Sequence, residues 1–344
     1  MVKDQLITDN YAIYNSDCMY VLPTLPDASI DLSVYSPPFC GLYNYSSSEN
    51  DFSNCDTKED FNTQFEFLIK EIARVTKPGR ITAVHCQDVL TNVTKNYLYD
   101  FPHEIIRMHE ANGFKFVNRI TIWKEPLKVR IRTMVRSLMH KNIVEDSTEC
   151  FTAQPDYVLL FKRTGENKVK VTHEHGLKRY AGAIPLLPEM ERRYGPWAHI
   201  QAKYAEWKDH RTNKLSHIIW QRYASAVWDD IRNDHTLSYK AAREEDDEKH
   251  VHPLQLDVID RIVDLYSNPG ETVLTPFMGV GSEVYSPVSM GRKAIGIELK
   301  DSYYKQAIRN LATVGSRFDG DREAQLFDEA AADEVTELEA TEEA

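Results

Sequence analysis

The sequence predicts an α/β protein with a Rossmann-like open sheet, and two stretches far apart in the chain carry this prediction. Residues 273–282 have the pattern of a buried strand, a turn with Gly279 and Gly281, and the start of a helix. Residues 30–34 form a second apolar run, which soon meets the pair Pro37-Pro38. Because adjacent prolines cannot continue a sheet, this strand ends there and presents the motif at its carboxyl end.

Hydrophobic periodicity places the other elements in order along the chain. Short apolar runs predict strands at residues 11–15, 81–84, 116–123 and 157–161. Apolar positions at helical spacing predict helices at residues 59–75, 101–112 and 252–265, after Gly281, and at 303–311. Strands and helices that alternate in this way are typical of a mostly parallel sheet.

The glycine turn also suggests a site for a nucleoside. Glycine permits a tight turn and a close approach of the backbone to a ligand. Glu298 follows Gly279 by about 20 residues, the spacing at which a carboxylate commonly binds ribose hydroxyls. A turn whose glycines serve packing alone is the alternative, and the turn by itself leaves both interpretations open.

The stretch Ser36-Pro37-Pro38-Phe39 favours the ligand site. It presents a hydroxyl, a carbonyl and a ring in a rigid array at the carboxyl end of a strand, where ligands bind in open α/β sheets. The alternative is a strand that merely ends at two prolines. The nearby polar residue His85 lacks partners for a metal site, so it is predicted to lie at the rim of this site.

Together the two motifs resemble those of the S-adenosylmethionine-dependent DNA amino-methyltransferases. Ser36-Pro37-Pro38-Phe39 matches the catalytic (D/N/S)-P-P-(Y/F) motif of that family, and residues 276–282 match its P-F-x-G-x-G-(S/T) cofactor motif. The catalytic motif comes first, as in the circularly permuted β group of the family. The resemblance covers most of residues 8–312, and it implies the Rossmann-like S-adenosylmethionine-dependent methyltransferase fold for this part of the chain.

The resemblance also implies roles for individual residues. The catalytic residues would be Ser36, Pro37, Pro38 and Phe39, with the Phe39 ring stacked on a base flipped out of the duplex. S-adenosyl-L-methionine would be bound by Asp17, Ser36, Gln255, Pro276, Phe277, Gly279, Gly281, Ser282 and Glu298. Asp17 could equally be a helix N-cap, and the two roles are compatible. The five cysteines form no Cys-x-x-Cys pair, so no metal site is expected.

The implied reaction moves a methyl group to the exocyclic amine of a base, without a covalent enzyme intermediate. Hydrogen bonds from the amine to the Ser36 hydroxyl and the Pro37 carbonyl would favour a more reactive nitrogen. In the resembled family, Ser-Pro-Pro-(Tyr/Phe) leans to cytosine N4 and Asp-Pro-Pro-Tyr to adenine N6, so cytosine is slightly favoured. An adenine N6 enzyme of low sequence specificity, an RNA or protein methyltransferase, and a catalytically inactive DNA-binding module stay open.

Composition divides the chain into four predicted segments. Residues 1–163 form the catalytic half with a basic insertion at 124–150, residues 164–249 a target-recognition region, residues 250–316 the cofactor-binding half, and residues 317–344 a disordered acidic tail. The net charge of −12 resides mostly in this tail, since residues 319–344 hold 11 acids and one base. The overall charge therefore does not exclude double-stranded DNA as the partner, and phosphate contacts are favoured for the basic insertion.

The chain contains no run of about 18 apolar residues and no signal-peptide pattern at Met1-Val2-Lys3-Asp4. We therefore expect a cytoplasmic protein that does not enter a membrane. The sequence leaves open a homodimer. It also leaves open a cognate restriction endonuclease of a restriction-modification pair, or an orphan or phage-type enzyme without one.

Overall fold

The computed structural model describes residues 1–38, 55, 57–90, 98–133, 138–242 and 253–315. Phe39 and the predicted acidic tail at 317–344 lie outside these residues. No helix in the described ranges is long and apolar enough to span a bilayer.

A nine-stranded sheet forms the centre of the described fold. The strands of the chain are β1 (Asp4–Ile7), β2 (Tyr11–Asn15), β3 (Ile30–Tyr35), β4 (Thr76–Gln87), β5 (Val89–Leu90), β6 (Leu98–Tyr99), β7 (Phe114–Ile122), β8 (Asp156–Arg163), β9 (Val227–Trp228), β10 (Thr272–Thr275) and β11 (Lys293–Glu298). The order in the sheet is β1-β2-β11-β10-β3-β4-β8-β7-β9, while β5 and β6 pair separately. The five strands from β2 to β4 are parallel, and β8 runs against both of its neighbours.

Helices connect the strands, and several of them pack on the two faces of the sheet. The helices are α1 (Cys18–Val21), α2 (Lys58–Val75), α3 (Phe101–Ala111), α4 (Pro126–Thr133), α5 (His140–Glu145), α6 (Pro188–Tyr194), α7 (Trp197–Tyr204), α8 (Lys214–Tyr223), α9 (Leu256–Tyr266), α10 (Ser282–Ser289) and α11 (Asp301–Leu311). The predicted open α/β fold is thus confirmed.

The longest helix illustrates how local sequence fixes an element. Thr57 caps α2, where its hydroxyl accepts a hydrogen bond from the backbone N–H of Asp60 (3.1 Å). The side chains that recur at helical spacing are all buried against the sheet: Phe61, Phe65, Leu68, Ile69 and Ile72. The next strand is longer than predicted, because β4 already begins at Thr76 and passes through Pro78-Gly79. The pairing of β3 with β4 shifts register at that point, which accommodates the proline.

Two apolar cores lie on opposite faces of the sheet. One contains residues of α9, α10 and α11, and the other contains residues of α2 and α3. A third, smaller cluster joins α7 and α8 through Ile200, Leu215, Ile218 and Ile219. The described part of the predicted target-recognition region, residues 164–242, therefore contains helices with a core of their own.

A buried cation joins this third cluster to the sheet. The Arg261 guanidinium of α9 lies over the rings of Tyr180, Tyr223 and Trp228, at 4.9–5.4 Å from their centroids. It also forms an ion pair with Asp230 (2.8 Å). Since Arg261 is fully buried, these contacts replace its hydration. They fix the described residues of this region, 164–242, against the helix that precedes the glycine turn.

His109 holds the last residue of β3 in place. Its Nδ1 donates to the carbonyl of Ile105 (2.7 Å), so its Nε2 accepts from the Tyr35 hydroxyl (3.0 Å). The ring also stacks on Phe161, with centroids 4.0 Å apart. Burial lowers the pKa of His109 to about 4.

This buried imidazole predicts a loss of stability in mild acid. In the unfolded chain a histidine has a pKa near 6.5, so between pH 6.5 and 4 the unfolded state binds a proton that the folded state does not. We expect the free energy of unfolding to fall through this window by roughly 3 kcal/mol on account of His109. Urea unfolding at several pH values measures this. His109→Gln should show a shallower dependence, and an equal slope in both proteins would contradict the assignment.

Candidate active site

The two sequence motifs meet at one edge of the sheet. Strands β3 and β10 are parallel neighbours, with Val273 opposite Leu32. From β10 the chain continues through α10 to β11 on one side, and from β3 it continues through α2 to β4 on the other. Connections that leave adjacent strands in opposite directions open a crevice at the carboxyl ends of those strands. Residues 36–38 and the glycine turn are both at this edge.

Glycine is found at the two positions of the turn for different structural reasons. Both adopt positive φ angles, +55° at Gly279 and +100° at Gly281. A Cβ at Gly281 would lie 3.2 Å from the Cβ of Ala307, so this glycine permits the packing of α10 against α11. A Cβ at Gly279 would meet no described atom within 4 Å. Packing therefore explains Gly281, whereas Gly279 borders open space in which a ligand could approach the backbone.

Glu298 is tied directly to this turn. Its carboxylate accepts hydrogen bonds from the backbone N–H groups of Gly279 (Oε2, 2.8 Å) and Lys300 (Oε1, 2.8 Å). Its carbonyl accepts from the N–H of Ser16, which follows β2 (2.9 Å). A carboxylate oxygen can accept more than one hydrogen bond, so the side chain can bind the backbone and hydroxyl groups together.

Three buried polar side chains near the turn have no hydrogen-bond partner among the described residues. They are the amide of Asn15 and the hydroxyls of Thr275 and Ser282. Asn15 and Thr275 end the parallel strands β2 and β10, and Ser282 begins α10. Since buried polar groups are normally hydrogen-bonded, their clustering at one edge fits a polar ligand such as a nucleoside. The residues present therefore fit the cofactor that the motifs imply.

Glu283 is a further ionisable group at the turn, and the sequence analysis did not single it out. Burial and the nearby charge of Glu298 raise the pKa of Glu283 to about 8. The carboxyl is therefore mostly neutral at pH 7, which avoids a second buried negative charge beside Glu298. From sequence alone Glu283 resembles an ordinary acidic residue in the first turn of a helix.

The other predicted cofactor residues lie around the same edge. Asp17 caps α1 by accepting from the N–H of Met19 (2.8 Å), in agreement with the N-cap interpretation. Gln255 occupies the N-cap position of α9, and Pro276 is buried after β10. The Phe277 ring lies edge-on to Tyr35, with centroids 6.1 Å apart, so at least part of its role is packing.

A hydrogen-bonded chain extends from the Ser-Pro-Pro motif into the sheet. The Ser36 hydroxyl contacts Nδ1 of His85 (2.9 Å), and Nε2 of His85 contacts Oδ2 of Asp156 (3.0 Å). Lys124 Nζ lies 2.6 Å from the same carboxylate oxygen. Burial alone would raise the pKa of Asp156, but Lys124 and His85 outweigh burial and hold this pKa well below its usual range. The site thus presents a half-buried hydroxyl backed by an imidazole and a carboxylate.

Sequence reasoning placed His85 at the rim and missed Asp156. It assigned Lys124 to the basic insertion with predicted phosphate contacts, whereas the structure pairs Lys124 with Asp156. The three residues come from β4, β8 and the segment after β7. The antiparallel pairing of these strands brings them together, and no local spacing signals that pairing. Pro37 is buried and Pro38 half-buried beside Ser36, while the structure does not describe Phe39.

Comparison with known proteins identifies the family of this chain. Residues 30–309 match the family model described as DNA methylase, N6_N4_Mtase. The type II methyltransferase M1.MboII of Moraxella bovis is 38% identical over 299 residues, which cover 86% of this chain and 94% of that protein.

Two solved structures show the same fold. The protein TTHA0409 of Thermus thermophilus, complexed with S-adenosyl-L-methionine, has a TM-score of 0.55 at 21% identity, and the match covers 88% of this chain and 95% of that protein. The cytosine-N4-specific PvuII DNA methyltransferase has a TM-score of 0.57 at 14% identity, and the match covers 95% of this chain and 97% of that protein. Because the family model spans most of the sequence, the chain belongs to the N6/N4 DNA methylase family, the S-adenosylmethionine-dependent enzymes that methylate exocyclic amines of DNA bases.

Proposed function

We propose that this chain methylates cytosine N4 at specific sites in double-stranded DNA, in the crevice between the ends of β3 and β10. One observation carries the proposal: the Ser36 hydroxyl and the open space at Gly279 lie at the carboxyl ends of adjacent parallel strands. A methyl donor at the turn and a base at the motif would then be neighbours, as a direct transfer requires.

The donor end of the crevice is assigned to the glycine turn and its surroundings. Glu298 would bind the ribose hydroxyls, and the backbone at Gly279 would lie close to the ligand. The remaining residues proposed for this end are Asp17, Ser36, Gln255, Pro276, Phe277, Gly281 and Ser282. S-adenosylmethionine, when bound there, supplies a methyl group activated by a positively charged sulfur.

The acceptor end is assigned to the catalytic motif. The exocyclic amine of a flipped base would donate hydrogen bonds to the Ser36 hydroxyl and the Pro37 carbonyl. Pro38 keeps this backbone rigid, and the Phe39 ring would stack on the base. The amine lone pair is delocalised into the ring of the base. Hydrogen bonds that hold the nitrogen more pyramidal therefore favour attack on the methyl group.

The choice of cytosine rests on Ser36. Ser-Pro-Pro leans to cytosine N4 in the resembled motifs, whereas an aspartate at this position leans to adenine N6. Adenine N6 is the alternative within the same site.

Analysis of the product decides between these bases. Genomic DNA that lacks methylation is incubated with the pure protein and S-adenosylmethionine, digested to nucleosides and examined by mass spectrometry. We expect N4-methyldeoxycytidine. Detection of N6-methyldeoxyadenosine would show that adenine, and not cytosine, is the base that this site methylates. Detection of 5-methyldeoxycytidine, or of unmodified DNA only, would refute the proposal.

We further assign recognition of the DNA sequence to residues 164–249, with phosphate contacts from the basic insertion at 124–150 apart from Lys124, which pairs with Asp156. In this assignment residues 1–163 form the catalytic half and residues 250–316 the cofactor-binding half. The third apolar cluster and the anchor at Arg261 support the described residues 164–242 as a compact unit. A homodimer and a cognate endonuclease stay predictions.

A further inference from the structure

The chain of contacts behind Ser36 has no part in the assignments above. It runs from the Ser36 hydroxyl through His85 and Asp156 to Lys124, with successive distances of 2.9, 3.0 and 2.6 Å. Each link joins groups that can share a proton. The chain starts at the hydroxyl assigned to the target amine and ends inside the sheet.

The chemistry of Asp156 fixes the direction of these hydrogen bonds. Because Lys124 and His85 keep the Asp156 carboxyl ionised, it can only accept hydrogen bonds. Nε2 of His85 therefore carries the proton and donates to Asp156. In the neutral ring Nδ1 then holds a lone pair, and it accepts the hydroxyl proton of Ser36.

The charged groups around His85 divide between the two faces of the sheet. Asp156 and Lys124 are on the face of His85. On the other face Tyr157 pairs with Cys86 and donates to Asp88 (3.4 Å). Arg119 lies over the Tyr157 ring on that face, at 5.3 Å from its centroid. Among the described residues, the charged group that contacts the His85 ring is thus the Asp156 carboxylate, to which Lys124 is bound in turn.

The proposed reaction leaves a proton to be removed. When the amine nitrogen bonds to the methyl carbon, the carbon–sulfur bond breaks and its electron pair stays on sulfur. The nitrogen then carries a positive charge and must lose one proton to give the neutral methylated base. An acceptor close to the amine lowers the barrier, because the charge already develops in the transition state.

We propose that His85, oriented by Asp156, draws the hydroxyl proton of Ser36 and so makes Ser36 the acceptor of the amine proton. This inference rests on the proposed function of Ser36. The amine N–H proton passes to Ser36 Oγ while the hydroxyl proton of Ser36 passes to Nδ1 of His85. The resulting imidazolium is balanced by the Asp156 carboxylate and later releases its proton to water. His85 and Asp156 are positioning residues in this scheme, since they act through Ser36.

His85→Asn separates this role from a merely structural one. The asparagine Oδ1 can take the place of Nδ1 and still accept the Ser36 hydroxyl, but it cannot take up the proton. We expect single-turnover methyl transfer to slow roughly 100-fold, the scale of general base catalysis. The affinity for S-adenosylmethionine, measured by calorimetry, should stay within about twofold. In a Ser36→Ala background the same change should cost little, because both residues act through one hydroxyl.

We call the proton transfer from the amine through Ser36 to His85 the relay. The relay and the proposed function can fail separately. If the wild-type enzyme methylates DNA and His85→Asn does so at the same rate, the relay is contradicted and the proposed function is not. A wild-type protein without methylation would instead overturn the proposed function.

Nuclear magnetic resonance tests the relay without any reaction. In protein labelled with nitrogen-15, His85 should be the tautomer protonated at Nε2. Asp156→Asn should reverse this tautomer, since the asparagine amide can donate to Nε2, and Nδ1–H would then point at Ser36. An Nδ1-protonated His85 in the wild type would contradict the inference.

Discussion

Ser36→Ala is expected to slow methyl transfer roughly 10- to 1,000-fold, the scale of one or two hydrogen bonds that strengthen in the transition state. The hydroxyl is the one group through which both the target amine and His85 would act (Ser36 to His85, 2.9 Å). Its loss therefore removes the amine contact and the relay together. Single-turnover kinetics with saturating DNA and S-adenosylmethionine measures the effect.

Cofactor affinity is the control for this variant. Ser36 is one of several residues assigned to S-adenosylmethionine, and Gly279 and Glu298 are the principal ones. Calorimetry should therefore show a much smaller loss of cofactor affinity in Ser36→Ala than the loss of methyl-transfer rate. A variant with full activity, or one whose loss of rate is matched by its loss of cofactor affinity, would contradict the role of Ser36 in holding the target amine.

Gly279→Val is expected to abolish detectable binding of S-adenosylmethionine. The φ angle of +55° disfavours a β-branched residue, and the new side chain would enter the open space assigned to the ligand. Calorimetry measures the affinity, and thermal unfolding shows whether the protein remains folded.

Gly291→Val provides a matched control. Gly291 has a φ angle of +76° and also has no described atom within 4 Å of a Cβ, but it lies just before β11, at the opposite edge of the sheet. Both variants carry the backbone strain, and only Gly279→Val should lose the cofactor. Equal affinities would contradict the assignment. Gly281→Val is less informative than the sequence alone indicates, because contact with Ala307 would disturb the packing of α11.

The sequence predicted the parts of the site that are local. The strand before Gly279, the two prolines after β3 and the spacing of Glu298 are features of short stretches, and each carries its own backbone constraint. That β3 and β10 are neighbours was not predicted, since residues so distant in the chain give no pairing signal of their own.

The remainder of the site depends on contacts between distant strands. Asp156 reaches His85 because β8 runs antiparallel to β4, and Lys124 reaches Asp156 because β7 pairs with β8. The short helices at 188–223 escaped prediction for a similar reason. Trp197 of α7 and Tyr223 of α8 both pack on Tyr180, which precedes these helices, and no local spacing signals these contacts.

A crystal structure with S-adenosylhomocysteine and an unmethylated DNA duplex that contains the target sequence tests the central claim most directly. We expect ribose hydroxyls within hydrogen-bond distance of Glu298, and an extrahelical base whose amine donates to the Ser36 hydroxyl and the Pro37 carbonyl. A nucleoside bound away from the glycine turn, or a target base whose amine contacts neither Ser36 nor Pro37, would contradict it.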